Sequence, residues 1–198
     1  MEGPSHAGIG VAVGAVVGHA LHADAGFVAL PPLAHLAPPV QAVLGTAAMA
    51  LVCGSIGAIA ALVPDMDTDS TLGALLPRAW HKLTPGHRGA SHCLLAVVAW
   101  WGATALACAG LRITGSASVL LPALFVAGVV SHLVADALTS HGIRPLYPFS
   151  DWHLRSLLPF RSGSWPEPVI VAGVAVLALA SLVVDPGHLV ALVLRRGV

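Results

Sequence analysis

The chain has 198 residues, 57% hydrophobic and only 9% charged, with nine basic residues balanced by nine acidic ones. A water-soluble domain carries about a quarter charged residues, so this chain cannot clothe a surface that faces water. Its zero net charge also excludes the basic field that nucleic acid requires, and its length allows one integral membrane domain over 1–198.

Taken in order, five apolar runs predict an all-α, polytopic membrane helical bundle of about five spans: 7–29, 41–63, 93–111, 118–139 and 169–185. The first carries Gly10, Gly14 and Gly18 at intervals of four, a small-residue stripe that lets another helix approach closely. His6 lies one step earlier on that stripe. A cleaved signal peptide is the competing reading, since Ala23–Asp24–Ala25 resembles a processing site; Glu2 without any nearby Lys or Arg favours a retained helix. Pro31, Pro32, Pro38 and Pro39 then mark a loop.

The second run stops at Pro64, and Asp65, Asp67 and Asp69 follow at alternate positions. An EF-hand loop begins this way but needs Gly at its sixth position and Glu at its twelfth. Ser70 and Leu76 stand there, so that reading fails. A solvated cap explains one aspartate more easily than three. Downstream, His87 and His92 bracket Arg88. Five helical steps would put the two histidines roughly 140° apart. Either this segment is a loop wrapping one ion, as Gly89 allows, or only one histidine is a ligand. Cys53, Cys93 and Cys108 lie in apolar runs without CxxC spacing and read as small buried hydrophobes.

The fourth run carries His132 and Asp136, four residues apart and so on one helical face. A carboxylate at the end of an apolar helix is costly unless paired, hydrated or metal-bound. Imidazole and carboxylate at this spacing suit a borderline ion such as zinc, and equally suit a plain hydrogen bond joining two helices. Gly142 is the expected helix stop. The loop 140–168 carries Tyr147, Trp152 and Trp165, residue types of the membrane boundary.

Five crossings place the start of the chain and the loops 64–92 and 140–168 on one side. That side receives His6, Asp65, Asp67, His87, His92, His132, Asp136, His141 and Glu167. It also carries Arg78, Lys82, Arg88, Arg144, Arg155 and Arg161, against three basic residues opposite. By the positive-inside rule it is the cytoplasmic face.

VPDMD, HRGASHC and HLVADALTSHGIRPLYPFS, in that order between hydrophobic spans, resemble the bacterial family of membrane-bound, predicted metal-dependent hydrolases. That family is similar in motif order to the zinc-dependent phospholipase C and P1-nuclease group. The resemblance runs from His6 to Glu167. It implies His132 and Asp136 as central metal ligands, joined by His6, Asp65, His87 or His92, His141 and Glu167, around one to three divalent ions, zinc foremost. Ser91 and Cys93 depart from the family's usual Thr and Ser. The implied reaction is hydrolysis by a metal-activated water, with Arg88, helped by Arg144, clamping the anion and Asp67 or Asp69 orienting the water. Membrane lipids surround such a chain, and a lipid or other amphiphilic phosphoester is the expected substrate. Two other classes compete: a metal or proton transporter using the same cluster, and an assembly factor whose His–Asp pairs only join helices.

Overall fold

Small residues decide how closely the helices meet. The structure, a computed structural model, describes residues 1–25, 37–67, 89–156 and 160–183. Among these are five α-helices: α1 (Gly3–Ala25), α2 (Pro38–Leu62), α3 (Leu94–Gly110), α4 (Ala117–Ala137) and α5 (Pro166–Val183). Short 3-10 turns follow α2 (Pro64–Asp67) and precede α3 (Ala90–His92). The described residues contain no strand, only isolated bridges between Thr139 and Phe160 and between Ile143 and Leu154.

Gly57 of α2 is pressed between two neighbours. On one side lies the backbone of Gly10 and Gly14 in α1. On the other, a Cβ at Gly128 of α4 would fall 2.7 Å from both Gly57 O and Ala60 Cβ. Three helices therefore meet backbone to backbone, as the glycine stripe predicts. Val129 and Leu133 then pack on Ala60 and Ile143, with Trp100 and Phe125 alongside.

The helix limits differ from the apolar runs in an instructive way. α1 starts at Gly3, so His6 belongs to its first turns. Prolines open α2 and α5, where a missing N–H costs nothing. Gly142 does not stop α4: the helix ends at Ala137, and Gly142 (φ +65°) instead lets the following loop fold back. A Cβ there would lie 2.5 Å from Leu154 O.

Val43–Leu62 and Ala117–Ala137 are long and apolar enough to cross a membrane; the apolar stretches of α3 and α5 are shorter. Large apolar side chains such as Leu51, Leu106 and Leu177 face outward, while His6, His92, His132, Asp136 and Glu167 are buried. That distribution is the reverse of a soluble domain.

Candidate metal centre

The polar side chains gather at one end of the bundle, where α1, α3 and α5 begin and α2 and α4 end. His6 comes one turn before Gly10, and His132 one turn after Gly128, so two close helix contacts on Gly57 deliver both imidazoles. Asp65 enters from the turn after α2 and His92 from the turn before α3. His6, His92, His132 and Asp136 are all fully buried; the Asp65 side chain keeps 18% exposure.

Four donor atoms converge there. His92 Nε2 lies 3.0 Å from His132 Nε2, 3.5 Å from Asp65 Oδ1 and 3.6 Å from Asp136 Oδ2. His132 Nε2 lies 3.6 Å from Asp65 Oδ1 and 3.7 Å from Asp136 Oδ2. Donors bound at about 2.0–2.2 Å to a tetrahedral zinc stand roughly 3.3–3.6 Å from one another. The observed separations bracket that range.

The surroundings fix which nitrogens face inward. His132 Nδ1 donates to the carbonyl of Ala61 at 2.6 Å, leaving a lone pair on Nε2. His92 Nδ1 is 2.7 Å from Ser91 Oγ, which can hold that ring in the same tautomer. Two such lone pairs 3.0 Å apart repel unless a proton or a cation lies between them. Second-shell hydrogen bonds of this kind are what orient metal-binding histidines. His6 stacks on His132 at 3.6 Å between centroids; among the described residues its ring nitrogens make no hydrogen bond of good geometry, although Nε2 is 3.2 Å from Asp136 Oδ1. The amine of Met1 also reaches that oxygen, at 2.6 Å.

Burial would raise the Asp65 carboxyl. Its hydrogen bond with His92 and the charges of His132, His6 and His92 outweigh burial and hold it below the ordinary carboxylate range. Two carboxylates and three imidazoles, with the Met1 amine on one carboxylate oxygen, form a nitrogen and oxygen donor set of the kind that binds a divalent cation. His6, Asp65 and His132 form one group of donors within 4.8 Å of each other, and His92, His132 and Asp136 a second. The residues present thus fit a divalent ion.

Of the other expected site residues, those with described side chains lie outside both donor groups. His141 is exposed in the loop after α4 and stands in neither donor group. Glu167 is buried in the first turn of α5, but its oxygens are engaged: Oε1 accepts the Glu2 N–H at 2.7 Å and Oε2 the Gly163 N–H at 2.8 Å. Arg144 pairs with Asp151 at 3.3 Å and lies over the Tyr147 ring. The backbone of Asp67 closes the turn after α2, while its side chain, together with Asp69, His87 and Arg88, lies outside the described residues. Two partners carried little signal in the sequence: Ser91, hidden beside its histidine, and the main-chain carbonyl of Ala61.

Comparison with known proteins gives a membrane identity without a reaction. A protein of Bacillus subtilis (strain 168), described as "Uncharacterized protein YvsG", is 34% identical over 128 residues, 63% of this chain and 72% of that protein. No solved structure matches. The family described as YdjM inner membrane protein matches residues 1–194. The chain belongs to the YdjM inner membrane protein family.

Proposed function

We propose that the protein is a membrane-embedded, metal-dependent hydrolase acting on a phosphoester of lipid or other amphiphilic type. The observation that carries this reading is the pair His92 Nε2 and His132 Nε2, 3.0 Å apart, with Asp65 Oδ1 and Asp136 Oδ2 each 3.5–3.7 Å from both. A divalent ion held there, zinc foremost, lowers the pKa of water and draws charge from a phosphoryl oxygen. The chain supplies the rest. His92, His132 and Asp136 form the closed side of the site, and the partly exposed Asp65 marks the side from which substrate and water enter. Asp136 turns Oδ2 to His92 and His132, and Oδ1 to His6, an arrangement that supports more than one ion. Asp67 or Asp69 orients the attacking water, and the Arg88 fork holds the anion.

The same reading places five crossings in the inner membrane with the metal end at the cytoplasmic face. Six basic residues on that side of the chain support it.

Metal content and turnover of a phosphodiester panel test the proposal together, on wild type and on His132→Ala. Wild type should carry a divalent ion and hydrolyse at least one phosphodiester; the variant should do neither. Folded, active, metal-free wild type would overturn the reading. Metal-loaded protein silent towards every ester would favour transport instead.

A further inference from the structure

A second feature lies away from the metal centre. A cavity of about 540 Å³ opens between α3, α4 and the loop that follows α4, within the range of small-molecule sites. On α4 it is walled by Val130, Leu133, Val134 and Ala137, a stripe at helical spacing on a different face from His132 and Asp136. Leu94 and Val97 of α3 form the opposite wall. Arg155 and Ser156 are its polar lining residues, and they are adjacent.

The loop wall is fixed in place by backbone bonds. Ile143 and Leu154 exchange N–H···O bonds of 2.9 Å in both directions. The Ser156 N–H reaches Ala137 O at 2.8 Å, and the Leu94 N–H reaches Pro145 O at 2.9 Å. The groove is therefore formed before anything enters it. Its inner surface is nonetheless left open: Leu94, Val134 and Trp152 are each more than half exposed.

Position and charge together define the occupant. The bond from Ser156 to the last residue of α4 puts Arg155 where the apolar stretch Ala117–Ala137 ends. Trp152 beside it is a residue type of the membrane boundary. From Leu138 to Val130 the trough runs about 12 Å along the helix, away from that boundary. Among the described residues Arg155 has no acidic partner, whereas Arg144 is paired with Asp151. An apolar trough capped by a guanidinium matches a molecule with a hydrocarbon tail and a phosphate. In a member of an inner-membrane family, the neighbour of that description is lipid.

We propose that this groove binds a membrane phospholipid, one acyl chain along Val130–Leu138 and the phosphate on Arg155. The site is separate from the metal centre and needs no metal chemistry to be correct.

Photolabelling tests it. The full-length protein is reconstituted into phosphatidylglycerol vesicles doped with phosphatidylglycerol bearing an acyl-chain diazirine, irradiated, and its adducts mapped by peptide mass spectrometry. Adducts should concentrate on 94–97 and 130–138 over the equally apolar outer face of α2. Val134→Trp, which fills the trough from an exposed position, should remove them while metal content stays unchanged. Arg155→Ala should lower them by about tenfold, the loss expected for one charge-assisted hydrogen bond to phosphate. A diazirine diacylglycerol, lacking phosphate, should label weakly and ignore Arg155→Ala. Labelling spread over α2, α3 and α5 and unmoved by Arg155→Ala overturns the proposal. A dimer trapped through Val134→Cys in place of lipid adducts overturns it too. Should Val134→Trp fail to fold, the exposed Arg155→Ala decides alone.

Discussion

Asp136 and Glu167 are two buried carboxylates at the same end of the bundle, 0% and 2% exposed, yet their surroundings differ in kind. Glu167 accepts backbone N–H groups from Glu2 and Gly163, which saturate it and tie the start of α1 to the start of α5. Asp136 instead takes the Met1 amine on Oδ1 and faces ring nitrogens of His6, His92 and His132. Backbone donors satisfy a carboxylate permanently; on Asp136 the Met1 amine meets Oδ1, while Oδ2 faces ring nitrogens of His92 and His132 with which it can share a cation. Burial alone therefore does not distinguish a ligand from a clasp, and the chemistry of the neighbours does.

The largest expected effect breaks that comparison directly. Asp136→Asn should weaken metal binding by more than the roughly hundredfold typical of an outer-shell change, as read by titration with a competing chelator. Glu167→Gln should keep the metal and cost about 1–3 kcal/mol of stability through one unsatisfied N–H, as read by thermal or denaturant unfolding in detergent. Equal metal loss in both would make Glu167 a ligand after all. Gly128→Val comes next. Its side chain must push α4 off Gly57 and Ala60, costing about 1–3 kcal/mol and weakening metal binding as His132 leaves Ala61 O. A destabilised variant with unchanged affinity would uncouple packing from the site.

Smaller again is Ser91→Ala, which frees the His92 ring without removing it. Metal affinity should drop by about tenfold with the fold intact. His141→Ala should do least: from its exposed position it should shift stability by within about 0.5 kcal/mol and leave metal content unchanged. A large metal loss there would bring His141 into the coordination sphere.

What the sequence made legible was spacing, and what it hid was backbone. His132 and Asp136 announce themselves because four residues make one helical face, and the glycines at 10, 14 and 18 because their spacing of four makes a stripe; Gly128, alone on its helix, carried no such pattern. Asp65 and His92 were readable as polar residues at the mouths of apolar runs. Glu167 was expected as a ligand from the resemblance, and the N–H groups of Glu2 and Gly163 that occupy its oxygens left no trace in the sequence. His141 follows HxxxD closely in sequence, but α4 ends at Ala137 and the chain turns outward before reaching it. The carbonyl of Ala61 had no signal, since every residue has one. The Val130–Leu138 groove was invisible for a related reason: its apolar stripe resembles any membrane helix until a loop folds against it.

Zinc-edge X-ray absorption on the purified, zinc-loaded protein tests the metal centre most directly. The account predicts a four-coordinate first shell of nitrogen and oxygen at about 2.0–2.2 Å, with the outer scattering of two imidazoles. That imidazole scattering should fall in His92→Ala. A shell containing sulfur at about 2.3 Å, or scattering from zinc surrounded by water alone, would contradict it.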